Sequence, residues 1–224
     1  MSTPDFTLYG WLVSPYTAKT RAHLTCKGIV YKETNPSIFK LAGTIRKNVG
    51  KAITPTIQKR DGTWLQDSSA LFDAIEDTYP TPSFCPTTPR QRIASHLLEL
   101  FGDEWLPMSA LHYRWNNETN AAFALSEFAK NGMPYWPNFI RNRAVQSTAQ
   151  KLKGYLKPLG VDKNTIPAVE KTSTTVIAAL EAHLANQPYL FGGRPCLGDF
   201  SLYGPLWAHL YRDPGSRHLF TSKI

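Results

Sequence analysis

A proline-rich stretch in the middle of the chain constrains the fold more than any other feature of the sequence. Residues 80–89 read Pro-Thr-Pro-Ser-Phe-Cys-Pro-Thr-Thr-Pro. Four prolines in ten residues exclude a regular helix or strand, because proline lacks a donor N–H and fixes its φ angle. The sequence therefore predicts two units, residues 1–80 and 89–224, joined by a linker at 81–88.

The N-terminal unit has the pattern of a βαβ unit followed by a ββα unit. The predicted elements are a strand at 6–13, a helix at 17–27, strands at 29–34, 53–58 and 64–66, and a helix opened by Asp67-Ser68. Asp61-Gly62 stands between two of these strands and is typical of a hairpin turn. The unit is thus predicted to be an α/β domain.

The C-terminal unit has only helical periodicity. Predicted helices cover roughly 89–118, 119–131, 137–156, 167–186 and 196–211. About a dozen residues follow Tyr211, and we expect this short end to leave any adjoining pocket open. The fold class is therefore an α/β domain followed by an all-helical domain.

Composition indicates a globular protein without a membrane segment. Apolar residues make up 42% of the chain and charged residues 19%. No apolar run approaches the roughly 20 residues that span a bilayer, and the N-terminus lacks the pattern of a secretion signal. Cys26, Cys85 and Cys196 lie far apart, which argues against disulfides or a metal site. We expect free thiols and a cytoplasmic location.

The net charge of +8 raises the question of nucleic acid binding. The 25 Lys and Arg residues are scattered along the sequence, and no nucleic-acid-binding motif is present. Nucleic acid is therefore not an expected partner. The excess predicts a solvated basic surface that could attract small anionic ligands.

Three short motifs resemble those of the cytosolic glutathione transferases. The first is Ser14-Pro-Tyr-Thr, followed by Lys19-Thr-Arg and Lys27-Gly-Ile. The second is Thr54-Pro55 with Asp67-Ser68 downstream. The third is the segment at 190–202, Leu-Phe-Gly-Gly-Arg-Pro-Cys-Leu-Gly-Asp-Phe-Ser-Leu, in which Asp199 is expected to cap a helix. Together they resemble the serine-type, bacterial-like branch of that superfamily, and they imply a thioredoxin-like N-terminal domain.

The resemblance implies that Ser14 activates glutathione. A free thiol has a pKa near 8.5, so a hydroxyl that donates to the sulfur, together with a helix N-terminus, would stabilise the thiolate. Ser14 could instead only cap the helix. Tyr9 and Tyr16 are rival donors, with Tyr9 better explained as core and Tyr16 assigned to the glutathione site or the substrate mouth.

The remaining glutathione contacts are also implied by the resemblance. A cis Thr54–Pro55 bond would let Thr54 pair with the cysteinyl backbone, and it would explain a proline inside a strand-like segment. Asp67 and Ser68 would hold the γ-glutamyl group at a helix N-terminus, in addition to capping it. Lys40 or Lys51 could meet the glycine carboxylate.

The electrophile would lie between the domains against the first long C-terminal helix. Four positions follow helical spacing and are predicted to line that pocket, namely Trp105, Met108, His112 and Trp115 (or Asn116), although the same spacing is typical of plain core. His112 could act as a general base. By resemblance we also expect a homodimer.

These features lead to a functional hypothesis with one main alternative. The chain is predicted to be a glutathione S-transferase that attacks small hydrophobic electrophiles, with glutathione as co-substrate and no metal. Ser14 in place of a cysteine disfavours thiol transfer, and Cys26 lies too far along the helix to replace it. The alternative is a binding or scaffold protein without turnover. Isomerisation or ether cleavage by the same thiolate is a weaker reading.

Overall fold

The computed structural model of the protein describes residues 4–221. The strands are β1 (Phe6–Tyr9), β2 (Tyr31–Thr34), β3 (Thr56–Lys59) and β4 (Trp64–Gln66). The helices are α1 (Pro15–Cys26), α2 (Ile38–Lys40), α3 (Arg46–Val49), α4 (Ser68–Thr78), α5 (Pro89–Leu100), α6 (Leu106–Asn116), α7 (Glu118–Gly132), α8 (Asn138–Gly154), α9 (Ile166–Leu184), α10 (Leu197–Pro205) and α11 (His218–Thr221). Three π-helical turns, Leu41–Ile45, Phe101–Trp105 and Leu206–Tyr211, continue α2, α5 and α10.

The N-terminal domain is built on a four-stranded mixed sheet. The strand order is β2-β1-β3-β4, with β1 parallel to β2 and antiparallel to β3, and with β3 antiparallel to β4. α1 joins the parallel strands β1 and β2, and a hairpin joins the antiparallel strands β3 and β4. This is the thioredoxin-like arrangement that the sequence predicts, and the domain that follows it is helical.

Two strand boundaries differ from the prediction. β1 ends at Tyr9 rather than at residue 13, because the chain turns there into α1. β3 begins at Thr56, so Pro55 precedes the strand rather than interrupting it. A proline cannot donate to a sheet ladder, which accounts for this start. The hairpin has its expected turn, with Gly62 at a φ of 89°.

The sheet packs on α1 and α4 through a small apolar core. Leu8, Leu24, Ile57 and Leu71 are fully buried there. Each such side chain contributes about 1.5–3 kcal/mol by leaving water. This core fixes the start of α1 relative to the sheet, and the candidate site lies at that start.

The helical domain approaches the first domain closely at α10. A Cβ at Gly204 would lie 2.6 Å from the Pro15 carbonyl oxygen of the first domain. Within the helical domain, a Cβ at Gly102 would lie 2.6 Å from the Ser201 carbonyl oxygen of α10. Only glycine allows these backbone contacts. Asp199 caps α10 as predicted, accepting from the N–H groups of Cys196 (2.9 Å) and Leu190 (3.0 Å). Across residues 4–221, no helix is both long and apolar enough to cross a bilayer.

Candidate functional site

A cavity of about 440 Å³ lies between the two domains. From the first domain it is lined by Trp11, Ser14, Tyr16, Leu41, Ile53 and Thr54, among others. From the second it is lined by Ala110, Leu111, Arg114, Trp115, Leu152 and Tyr155, among others. Its wall is mostly apolar, as ligand sites usually are, and Ser14 contributes a hydroxyl to it.

Ser14 is the N-cap of α1. Its side-chain oxygen accepts a hydrogen bond from the Thr17 N–H at 3.2 Å. That bond uses a lone pair, so within the described residues the hydroxyl proton is available for donation. No acidic residue stands in the first turn of α1, so no carboxylate of the helix itself offsets its positive end. A thiol at this point would meet both a donor and a helix terminus.

Three backbone contacts fix the turn that carries Ser14. The Ser14 N–H donates to the Trp11 carbonyl at 3.0 Å. The Arg114 guanidinium donates to the Val13 carbonyl at 2.9 Å from the other domain. On the far side, Gly204 meets Pro15 at close range. The hydroxyl is therefore held between two domains rather than on a free loop.

Arg114 belongs to a buried charged cluster that the sequence did not predict. Its guanidinium donates to both carboxylate oxygens of Asp213 (2.7 and 2.8 Å), to the carbonyls of Val13 and Ala208, and to His209 Nε2 at 2.7 Å. All five N–H groups of the arginine are thus engaged. The cluster anchors α6 and the Leu206–Tyr211 turn to the Ser14 turn.

The contact between Arg114 and His209 determines the protonation state of His209. Because a guanidinium only donates, His209 Nε2 must accept and carries no proton. Burial, and secondarily the Arg114 charge, hold the pKa of His209 well below its ordinary value. Burial raises the pKa of Asp213, against the opposing effect of Arg114. His209 is therefore a neutral part of the cavity floor.

The two tyrosines considered as rival donors are both engaged elsewhere. The Tyr16 hydroxyl donates to the Asp103 carbonyl at 2.9 Å, and burial raises the pKa of Tyr16 to about 12. Tyr9 is buried, stacks on Trp64 and donates to Gln58 at 3.2 Å. Tyr16 lines the cavity, but its proton serves the domain interface. Ser14 has the free hydroxyl.

Of the predicted glutathione contacts, Tyr16 and Thr54 line the cavity, whereas Asp67 and Ser68 are not among its lining residues. The Thr54–Pro55 bond is cis, and Thr54 lines the cavity. Asp67 caps α4 by accepting from the Ser69 and Ala70 N–H groups at 3.0 and 3.3 Å. Ser68 follows as the first helical residue and is buried.

Asp67 has a strained backbone. Its φ of 80° is in the left-handed region, and it is the one non-glycine residue with positive φ in the part of the chain described. Such a conformation costs roughly 1–3 kcal/mol and persists only where the surroundings impose it. Strain at the start of a helix is consistent with a binding role for Asp67.

A second buried cation lies beside this region. Lys19 Nζ contacts Asp103 at 2.6 Å, Glu99 at 2.9 Å and Ser69 at 3.2 Å. The cluster joins α1 and α4 to α5 and to the turn after α5. Its sequence signal was the lysine inside an otherwise buried helix face, which alone does not predict a partner.

Of the predicted electrophile residues, Trp115 lines the cavity, whereas Trp105, Met108 and His112 do not. Trp105 is 59% exposed, and Met108 packs against the core of the helical domain. His112 is buried, with Nε2 3.0 Å from Glu170 and Nδ1 2.9 Å from Asn116. This correction leaves His112 without a place at the cavity wall.

The physical reason is that helical spacing shows which residues share a face, but not which face of α6 meets the cavity. The face that meets it carries Pro107, Ala110 and Leu111, then Arg114 and Trp115. The preceding turn, Phe101–Trp105, is π-helical and holds more residues than an α-turn.

The two candidate lysines for the glycine carboxylate differ in setting. Lys40 Nζ lies 4.5 Å from the centroid of the Tyr9 ring and makes a cation–π contact. Lys51 is exposed and directly precedes Ala52, Ile53 and Thr54, which line the cavity. Lys51 is the better placed of the two.

Comparisons with known proteins agree with this architecture. Residues 8–83 match the family model described as glutathione S-transferase, N-terminal domain. No curated protein matches the sequence significantly. Among solved structures, the chain is similar to a glutathione S-transferase from Rhodospirillum rubrum F11, with 17% identity, a TM-score of 0.62, and 98% of this chain and 93% of that chain covered.

Two further solved structures are similar to the chain in fold. One is the theta class glutathione S-transferase from Xanthomonas axonopodis pv. citri with glutathione bound, at 19% identity and a TM-score of 0.51, covering 97% of this chain and 91% of that chain. The other is the beta-etherase LigF from Sphingobium sp. strain SYK-6, at 18% identity and a TM-score of 0.55, covering 90% and 82%. At such identities the likeness shows the fold alone.

Fold and site together define a two-domain protein with a thioredoxin-like domain, a helical domain and a cavity between them. This is the glutathione transferase fold. Residues 8–83 carry its glutathione S-transferase N-terminal domain.

Proposed function

We propose that this protein is a serine-type glutathione S-transferase that acts on small hydrophobic electrophiles. The observation that supports this most directly is the Ser14 hydroxyl, which lies at the N-terminus of α1 and on the wall of an apolar cavity between the domains. Glutathione would place its γ-glutamyl group at Asp67 and Ser68, its cysteinyl backbone at Thr54 and its sulfur at Ser14. A cytoplasmic location is part of this proposal.

The chemistry follows from the charge that the site favours. The Ser14 O–H donates to the sulfur, and the positive end of α1 favours an anion there. Lowering the thiol pKa by about two units requires roughly 2.7 kcal/mol, which one charge-assisted hydrogen bond and a helix terminus can supply. The thiol proton passes to solvent. The thiolate then forms a carbon–sulfur bond to the electrophile, and the leaving group departs with its bonding electrons, for example as chloride.

The thiolate itself is the measurement that tests this proposal. We expect absorbance near 240 nm, titrated with pH, to report a bound-glutathione pKa well below that of the free thiol, and Ser14→Ala to raise it again. Tyr16→Phe is the matched control, because the Tyr16 proton is already donated to Asp103. Binding with an unshifted pKa in the wild type would contradict the catalytic proposal.

A non-catalytic glutathione or ligand carrier is the second candidate. The observation that favours it is that Ser14 also caps α1 through the Thr17 N–H, a role that needs no thiolate. In that case Ser14→Ala lowers stability by about 1 kcal/mol and leaves the thiol pKa of bound glutathione unchanged.

A homodimer is proposed as the functional form. Ile93, Leu97 and Leu100 follow each other on one face of α5 and are 63%, 61% and 52% exposed. An apolar stripe of this kind on the surface of a helix marks an interaction face. Sedimentation equilibrium checks this: a monomer at micromolar concentration would contradict it.

A further inference from the structure

Two segments that line the cavity carry much of the basic charge of this protein. The connection between β2 and β3, residues 35–55, holds four Lys or Arg and no Asp or Glu. The segment 130–163, which includes α8, holds seven Lys or Arg and one acid, Asp162. Together they carry +10, whereas the whole chain carries +8, so the rest of the protein is slightly acidic.

Both segments form walls of the same opening. Leu41 and Ile53 line the cavity from the first segment, and Leu152 and Tyr155 line it from the second. Two basic segments that are far apart in sequence therefore both contribute to the wall of one cavity. Walls of one sign concentrate the field and attract ligands of the other sign.

The interior of the cavity does not use this field. Of the cavity-lining residues within 4–221, the one with a full charge is Arg114, and its five N–H groups are all engaged within the protein. The floor and sides are otherwise apolar. A ligand that fits must therefore place an apolar body inside and any negative charge at the mouth.

Negative charge at the site is confined to the other end. The charges of Asp103, Glu104 and Asp67 act on Tyr16, beside the proposed γ-glutamyl position. The γ-glutamyl group carries an ammonium, which these carboxylates would attract. The α8 wall, which includes Leu152 next to Lys151, belongs to the helical domain, against which the electrophile would lie.

Lys151 is the basic residue best placed to meet the electrophile. Thr148, Leu152 and Tyr155 line the cavity from α8 and its C-terminus. Lys151 is exposed and lies three residues after Thr148 and four before Tyr155, so it shares their side of the helix. Lys153 is equally exposed, but the same helical spacing places it on the opposite side.

We infer that the electrophile is an anionic amphipathic molecule, with an apolar reactive body that enters the cavity and a carboxylate or similar group held at the mouth by Lys151. This inference rests on the proposed function. It differs from recognition of the glycine carboxylate of glutathione, for which Lys51 is the candidate. Lys151 is here a specificity-determining residue.

A matched pair of glutathione conjugates tests the inference. Attack of glutathione on 4-chloro-3,5-dinitrobenzoate or on its carboxamide releases chloride and gives two conjugates that differ only in a carboxylate or a neutral amide. Because glutathione is common to both, the ratio of their dissociation constants isolates the aryl charge. Calorimetric titration measures this ratio whether or not the protein turns over either electrophile.

At low salt we expect the wild type to bind the carboxylate conjugate about fivefold more tightly than the amide conjugate. We expect this preference to shrink at about 0.5 M salt. Lys151→Glu should abolish the preference, and Lys153→Glu should retain most of it. Equal affinities in the wild type, or equal losses in the two variants, would overturn the inference.

The thiolate titration keeps this result apart from the proposed function. A depressed thiol pKa with no preference for the carboxylate would leave a transferase of neutral electrophiles and refute only the anionic class. A Lys151-dependent preference with an unshifted thiol pKa would support the anionic ligand and refute turnover.

Discussion

Two buried cations join the domains, and they are not equivalent. Lys19 is 1% exposed, but its carboxylate partners Glu99 and Asp103 are 15% and 13% exposed. Arg114 and its partner Asp213 are 2% and 1% exposed. The Lys19 cluster can share its charge with water, whereas the Arg114 cluster has only protein around it.

This difference in exposure indicates which of the two clusters fixes the geometry of the candidate site. A charge removed from water must be matched by its partner and by additional hydrogen bonds. In the Arg114 cluster, one of these additional hydrogen bonds is donated to the Val13 carbonyl, next to Ser14. The Lys19 cluster holds the α1–α5 contact but touches no backbone in the Ser14 turn. Stability and site geometry are thus coupled at Arg114 more than at Lys19.

Arg114→Met should cause the largest effect. It leaves Asp213 buried with no cation and removes the donor to Val13, so we expect a loss of about 3–5 kcal/mol in the free energy of unfolding. Urea denaturation measures it. The double variant with Asp213→Leu removes the orphaned charge and should recover part of the loss. A loss below about 1 kcal/mol would show that the pair is dispensable.

Lys19→Met should cost less, about 2 kcal/mol, because Glu99 and Asp103 can be rehydrated. The same urea titration compares it directly with Arg114→Met. Ser69→Ala is the milder control, since it removes two hydrogen bonds, one from Lys19 and one to Glu99, and keeps both ion pairs. If Lys19→Met proved more damaging than Arg114→Met, exposure of the carboxylates would not explain the ranking.

His209→Gln should give the smallest effect, visible in pH dependence. The folded pKa of His209 is lowered, so only the unfolded chain takes up this proton below about pH 6.5, and stability falls as pH drops. The loss between pH 7 and 5.5 from one such group is about 1.3 kcal/mol.

Glutamine keeps an acceptor for Arg114 but does not titrate, so the variant should lose less stability on acidification than the wild type. His23, whose pKa burial lowers to about 4, contributes in the same direction in both proteins and cancels in the difference. Parallel pH profiles for the two proteins would contradict the neutral assignment of His209.

The sequence predicted best what short-range rules control. The hairpin at Asp61-Gly62, the cap by Asp67 and the cap by Asp199 all depend on contacts within a few residues. The start of β3 was misjudged because strand propensity was read through Pro55, although a proline at that point ends the ladder.

The sequence predicted least where distant residues meet. Arg114 and Asp213 are 99 positions apart, and charged residues are ordinarily expected at the surface. The two basic segments, 35–55 and 130–163, are also far apart in sequence, and only the folded chain brings them to one cavity. The face of α6 was missed because helical spacing does not show which side of a helix meets the other domain.

The π-turns also determine how this protein can change by losing residues. Each holds one residue more than an α-turn needs, so deleting one there would leave a continuous α-helix rather than a broken one. In Phe101–Trp105 the wide turn accommodates the additional residue, so such a deletion should leave the face that α6 presents to the cavity in place. A deletion elsewhere in a regular helix would instead rotate every following residue by about 100°, so the π-turns are the positions in these helices where the loss of one codon should be tolerated best.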